Sequence, residues 1–129
     1  MCIRDRYNDD KTIQVVNTKN NGAISSLPDN VVVEVSCVIT KEGPKPLSMG
    51  ALPPIAQGIV SQIKAFEQQG ILAAISGKYE DALVAMVMNP LVASEKIGQA
   101  LLNEMLLANK KHLPQFKEAI EKLEHETHH

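Results

Sequence analysis

A chain of 129 residues with a formal net charge of −2 and 44% hydrophobic residues can bury one domain's core but is too short for a full two-domain enzyme. Its 13 Lys and Arg are dispersed and outnumbered by 15 Asp and Glu, which excludes the electrostatic footprint of a nucleic-acid binder. No signal-peptide run or membrane-spanning run is present, and Cys2 and Cys37 follow no C-x-x-C spacing. The expectation is therefore a cytoplasmic protein with no membrane partner, no disulfide framework and no zinc site.

In chain order, Thr12–Val16 is a short β-branched run and Val31–Thr40 a longer one, and both predict strands. Asn20-Asn21-Gly22 and Leu27-Pro28-Asp29-Asn30 are turn signals between them, so the two strands should pair through this connection. In the second strand Val31, Val33, Val35 and Cys37 alternate with Val32, Glu34, Ser36 and Val38, which makes one face wholly apolar and the other mixed. Lys41-Glu42-Gly43-Pro44 should break that strand. Pro53-Pro54 is placed to open a helix, where a missing N–H costs nothing.

From there Ile55, Ile59, Val60, Ile63 and Phe66 recur at helical spacing, and the run from Ile71 is apolar nearly all round. This predicts a long helix that becomes more buried towards its end, weakened locally by Gly70. Gly77 suits the position just past its last turn, Tyr79–Met88 forms the next helix, and Asn89-Pro90 stops it. Ser94 is an N-cap for a third helix carrying Ile97, Leu101, Leu102, Met105 and Leu106 on one stripe, with Lys110 and Lys111 at its C-terminal end. A last amphipathic helix follows Leu113-Pro114 through Phe116, Ala119, Ile120 and Leu123, with Glu118 and Lys122 paired four apart. Strands first and helices after predict an α+β class, a small, mostly antiparallel sheet covered by several α-helices. With only two Tyr, two Phe and no Trp, the core must be aliphatic.

Four motifs in order carry a resemblance: NNGAI (Asn20–Ile24), LPD (Leu27–Asp29) followed by VVVEV, GPKPL (Gly43–Leu47) and GALPP (Gly50–Pro54). With FEQQGILAAISGKYEDALVAMVMNPLV and EMLLANKKHLPQF, they make the chain resemble, over about Tyr7–Phe116, the C-terminal domain of glycoside hydrolase family 4, and within it the 6-phospho-β-glucosidase type. The resemblance implies the C-terminal domain of a lactate/malate-dehydrogenase-like two-domain enzyme at residues 7–123 and a Rossmann domain missing from upstream, and the tag-like end of the chain predicts a disordered tail at 124–129. Residues 1–6, MCIRDR, do not fit the family pattern and resemble translated sequencing-adapter sequence, the mark of a truncated reading frame.

What the resemblance implies for function is NAD-dependent hydrolysis of a phosphorylated disaccharide or aryl glucoside to glucose 6-phosphate. Hydride leaves C3 for NAD, a base takes the C2 proton, the aglycone is eliminated, water adds and the hydride returns, while Mn²⁺ or a similar divalent cation polarises the oxygens. The family's base, a tyrosine, and its metal-binding Cys and His lie upstream of the matching segment. The resemblance thus implies no catalytic, cofactor-binding or metal-binding residue in this chain, which by itself should be inactive and bind neither cofactor. The full-length enzyme is expected to be a homo-oligomer, with the apolar run Ile71–Ile75 contributing to the interface. Alternatives are a 6-phospho-α-glucosidase or α-galactosidase of the same family, the C-terminal domain of a 2-hydroxy-acid dehydrogenase, and a non-enzymatic helical interaction module.

Individual residues are weighed against plainer roles. Asn20, Asn21 and Gly22 form a possible substrate-pocket turn, since amides at a tight turn can hydrogen-bond a sugar hydroxyl or phosphate; turn chemistry alone is the plainer account. His125-Glu126-Thr127-His128-His129 satisfies H-E-x-x-H, the spacing that puts two imidazoles on one helical face, yet a zinc site needs an enclosing cleft and a third ligand, so a frayed end is expected. Tyr7 is expected as a strand-edge or disordered tyrosine and Cys37 as a buried small hydrophobe. Met49, Met86, Met88 and Met105 are expected as core filler, and Glu80, Asp81, Glu95, Glu104, Glu118 and Glu121 as solvated helix faces.

Overall fold

The computed structural model describes residues 7–127 and divides after Gly58 into two compact units. The class is α+β, with a three-stranded antiparallel sheet followed, among the described residues from Pro54 on, by four α-helices.

In the first unit, β1 (Ile13–Lys19) and β2 (Val32–Thr40) pair antiparallel, with Ile13 opposite Val38 and Lys19 opposite Val32. Both predicted strands are present, and β1 runs three residues beyond Val16. The alternation in β2 reads as expected: Val33, Val35, Cys37 and Ile39 are buried, whereas Val32 and Glu34 are exposed. A third strand, β3 (Gly43–Pro46), lies where a break is expected and pairs with β2 from Cys37 opposite Pro46 to Thr40 opposite Gly43. Two prolines fit here because β3 is an edge strand, where a missing N–H removes no ladder bond that the sheet needs. The reversal is closed by the Thr40 hydroxyl, which donates to the Gly43 carbonyl at 2.9 Å and accepts from the Glu42 N–H at 3.2 Å.

Helix α1 (Pro54–Ser76) begins at the predicted proline pair and runs unbroken through Gly70. Its expected burial is corrected: only Ala73 is buried, while Ile71 and Ile75 are 61% and 78% exposed. The helix stops at Gly77, whose φ of +65° and N–H bond to the Ala73 carbonyl at 2.9 Å are those of a left-handed C-terminal cap. Helix α2 (Tyr79–Met88) follows, then α3 (Glu95–Ala108), where the Ser94 hydroxyl accepts from the Ile97 N–H at 3.3 Å as predicted.

The expected single stripe on α3 splits in two. Gly98, Leu102 and Leu106 are buried, and Ile97, Leu101 and Met105, one residue earlier in each turn, are exposed. Lys110 and Lys111 belong to a separate 3-10 turn (Lys110–His112), and a second one (Pro114–Phe116) leads into α4 (Lys117–Thr127). Leu102, Leu106, Phe116 and Ile120 pack with Ala73 and Ala82 as the core of this second unit. Among the described residues the four-apart ion pair on α4 is Lys117 with Glu121 at 3.8 Å rather than Glu118 with Lys122, and Lys110 reaches Glu124 at 2.6 Å. Glu124–Thr127 are the last turn of α4; His128 and His129 of the expected disordered tail lie outside the described residues, as do residues 1–6.

Candidate functional site

The Asn20–Ala23 turn is built by two consecutive positive φ values, +45° at Asn21 and +80° at Gly22, closed by the Ala23 N–H on the Asn20 carbonyl at 2.8 Å. That is the pattern of a mirror-image hairpin turn, and Asn-Gly is the dipeptide that adopts it at least cost. Asn20 itself is fully buried. Its Nδ2 donates to the carbonyls of Ile24, Leu27 and Pro28 at 3.0, 3.0 and 3.1 Å, and its Oδ1 accepts from the Ile24 N–H at 2.8 Å. An amide so committed ties the turn to the LPD segment and has nothing left to offer a ligand. Of the three residues of the possible pocket turn, Asn20 is therefore the frame, and Asn21 and Gly22 are the exposed tip.

The same loop is joined to the GALPP segment. Ile24 and Gly50 form a parallel bridge, the Ser25 N–H donates to the Gly50 carbonyl at 2.9 Å, the Met49 N–H to the Ala23 carbonyl at 2.7 Å and the Leu52 N–H to the Ser26 hydroxyl at 3.0 Å. Three of the four motifs are thus one hydrogen-bonded assembly. Beside it, Val15, Glu34 and Ser36 on the exposed face of the sheet and Met49, Leu52 and Pro53 line a mainly apolar groove of about 360 Å³.

A larger groove, about 660 Å³, lies in the helical unit among Gly77, Tyr79, Gln99, Asn103, Gln115 and Lys122. The Tyr79 hydroxyl donates to Asn103 Oδ1 at 2.7 Å. Burial pushes the Tyr79 phenol up, the Gln99 side chain works the other way, and the charges of Glu126 and Glu80 add to the rise. Tyr79 is therefore a neutral hydrogen-bonding group. Sequence reading missed this groove, although Gln99 and Asn103, four apart on one helix face, are a trace of it. The larger groove is lined mostly by polar and charged side chains, the smaller one mainly by apolar ones.

The other candidates are dispersed. Tyr7 is helical and 83% exposed, so it is not at a strand edge. Cys37 is fully buried with its thiol pushed up by desolvation, the small hydrophobe expected of it. His125 and Glu126 are exposed on α4, and among the described residues no group of three His, Cys, Asp or Glu could hold a metal ion. Met86 packs against the helical core, whereas Met49 and Met105 are exposed rather than core filler. Of the acidic residues, Asp81 is half-buried and accepts from the Ser76 hydroxyl at 2.7 Å. Among the described residues, no helix is long and apolar enough to cross a membrane.

Comparison with known proteins places this geometry. Residues 1–92 match the family 4 glycosyl hydrolase C-terminal domain. A probable 6-phospho-beta-glucosidase of Bacillus subtilis (strain 168) is 54% identical over 119 residues, covering 92% of this chain and 27% of its own length. A 6-phospho-beta-glucosidase of Escherichia coli (strain K12) is 34% identical, covering 91% of this chain and 26% of its own length. In solved structures, a 6-phospho-alpha-glucosidase from gut microorganisms in complex with NAD and glucose-6-phosphate superposes with a TM-score of 0.84 at 34% identity, over 88% of this chain and 26% of that one. The 6-phospho-beta glucosidase of Thermotoga maritima, with manganese, NAD+ and glucose-6-phosphate, gives 0.81 at 33% identity, over 87% of this chain and 28% of that one. The chain spans about a quarter of the length of the relatives it matches.

Proposed function

Because this chain belongs to family 4 of the glycosyl hydrolases, as its C-terminal domain, we propose that it is part of a 6-phospho-β-glucosidase that releases glucose 6-phosphate from phosphorylated β-glucosides. The observation that carries the reading is the 54% identity to the Bacillus subtilis probable 6-phospho-beta-glucosidase over 92% of the chain. The 6-phospho-alpha-glucosidase structure and the Escherichia coli 6-phospho-beta-glucosidase are level at 34% identity, so the β substrate as first choice rests on the 54% relative alone.

In this reading the full-length enzyme works by NAD-dependent oxidation, elimination, addition and reduction, with Mn²⁺ or a similar cation, as a cytoplasmic homo-oligomer. The residues described here do not fit either group: no cluster of metal-binding side chains is present among them, and the sequence has no glycine-rich strand-to-helix turn for a dinucleotide. No chemical step is assigned to them. NAD and the cation belong instead to the part of the enzyme that this quarter does not cover, including a Rossmann domain. The contribution of residues 7–123 is a wall of the sugar pocket, with Asn21 and Gly22 at the tip that Asn20 holds in place, and the exposed Ile71 and Ile75 of α1 are covered in the assembled enzyme.

The test compares two proteins. The full-length gene product with NAD and Mn²⁺ should cleave a 6-phosphorylated aryl β-glucoside in preference to the α-anomer, and the 129-residue chain should cleave neither and show no NAD binding by calorimetry. Preference for the α-anomer would move the enzyme to the α-specific branch of the family. Tight NAD binding by the short chain would show that the cofactor site has been put in the wrong part of the protein.

A further inference from the structure

The groove of about 660 Å³ lies wholly within the helical unit and is assembled from three places in the chain: the start of α2, the middle of α3 and the turn that leads into α4. Most of its lining lies beyond residue 92, where the match to the family's C-terminal domain ends. Its polar groups are held from two sides. The Tyr79 hydroxyl donates to Asn103 Oδ1 at 2.7 Å, and Gln99, one turn before Asn103, acts on the same phenol. Opposite them, Gly77 leaves the space that admits Gln115, since a Cβ on Gly77 would lie only 3.2 Å from Gln115 Cβ. With Asn103 Oδ1 engaged, Asn103 Nδ2 has no partner among the described residues, and neither has the side-chain amide of Gln115.

We propose that this groove binds a neutral, polyhydroxylated ligand, an unphosphorylated saccharide, at a site independent of the phosphorylated-glucoside reading above. The side chains select for hydroxyls. A sugar hydroxyl both donates and accepts, and the amides of Gln99, Asn103 and Gln115 with the Tyr79 phenol offer both in several directions. Ala119 and Leu123, packed on the helical core, supply apolar surface for the C–H face of a sugar ring. The charges select for neutrality. Three lysines and three glutamates line the groove, so a phosphate group there meets as many carboxylates as ammonium groups. None of Lys78, Lys122, Glu80 and Glu118 takes part in an ion pair among the described residues, and all four are free to hydrogen-bond hydroxyls. No arginine is present in the lining to grip a phosphate in bidentate fashion.

The volume falls within the roughly 300–1,000 Å³ of small-molecule sites, enough for a disaccharide. Binding is weak, because Gln99 and the lysines are exposed and water competes for each hydrogen bond they make; the expected dissociation constant is millimolar.

Proton–nitrogen correlation NMR on the intact 129-residue chain, titrated with cellobiose, tests this. Cellobiose should shift the side-chain amide signals of Gln99, Asn103 and Gln115 saturably and leave those of Gln62 and Gln69 on α1 in place. Gln99→Ala and Asn103→Ala should each weaken binding about threefold, and the two together about tenfold, as expected for one and two lost hydrogen bonds. The dispersion of each variant's spectrum reports whether it is folded, and Gln99, being exposed, can be changed without disturbing the Tyr79–Asn103 bond. Glucose 6-phosphate, titrated in parallel, should bind no more tightly than glucose. Signals that stay in place, shifts that never saturate, or a Gln99→Ala chain that binds cellobiose as tightly as the parent would overturn the site. Glucose 6-phosphate binding here more tightly than glucose would overturn the neutral ligand. Either failure leaves the glycosidase reading standing, since that reading is decided by turnover in the full-length protein.

Discussion

Gly77 joins α1 to α2 at a point where the backbone leaves no room for a side chain, and Gly77→Ala measures how much that matters. Two costs add. The φ of +65° is a left-handed conformation that costs an L residue about 1–2 kcal/mol. The new Cβ would also collide with the carbonyl oxygen of Gln115, with the carbonyl carbon only 2.7 Å away and Gln115 Cβ at 3.2 Å. That carbonyl belongs to the turn that delivers Phe116 to the helical core, so relief of the clash displaces a core residue, at about 1–3 kcal/mol. The expected loss is about 2–5 kcal/mol, read as a lower urea midpoint and a melting temperature lower by about 6–20 °C for a chain of this length. Gly70→Ala is the control: it lies inside α1, nothing stands within 4 Å of the added Cβ, and the change should stabilise by about 0.8–1 kcal/mol. If the two variants unfold at the same midpoint, the close approach of Gln115 to Gly77 does not govern the stability of this unit, and the reasoning fails.

Asn20→Ala should cost about 2–4 kcal/mol in urea titration, since it strips partners from three carbonyls and one N–H in a buried loop; a change below about 1 kcal/mol would mean the loop is held by its backbone bonds alone. Ser94→Ala should lose about 1 kcal/mol with the N-cap of α3, and Ser94→Asn should restore most of it, which distinguishes capping from packing. Tyr79→Phe should cost about 0.5–1.5 kcal/mol through the lost bond to Asn103, and an unchanged midpoint would show that water replaces it freely. Cys37 gives a pH prediction: burial raises its thiol, so the folded chain holds the proton that the unfolded chain releases. Its contribution to stability is complete below the ordinary thiol value and is lost as pH rises towards the raised one, and Cys37→Ala should flatten the alkaline decline in urea midpoint.

Much of the frame is legible in the residues because the signals are local. Asn21-Gly22 needs positive φ at both positions, Ser94 precedes an apolar-periodic run, and Gly77 follows one; each has the conformation its chemistry demands. The missed strand β3 shows the reverse. Gly43-Pro44-Lys45-Pro46 carries breaker residues throughout, and its extended state is decided by pairing to β2, a long-range fact that no window of four residues contains. The four family motifs were readable as a set, yet the joining of three of them into one assembly through the Ile24–Gly50 bridge was not, since the two partners are separated by most of the sheet.

The rows of α3 show why the candidate surfaces were harder to read than the fold. Leu101 and Leu102 are the same residue type on the same helix, and any periodic reading puts them on one stripe, as it does Met105 and Leu106. Their fates separate because Leu102 and Leu106 turn towards Phe116 and Ile120, whereas the neighbours one position earlier clear that core and stay exposed. A rotation of about 100° per residue is enough to move a side chain from a packed seam to a free ridge, while a hydrophobic stripe wide enough to serve both looks continuous in sequence. The same holds for Ile71 and Ile75 beside Ala73 on α1. Apolar periodicity therefore states how much surface a helix must hide but not from whom.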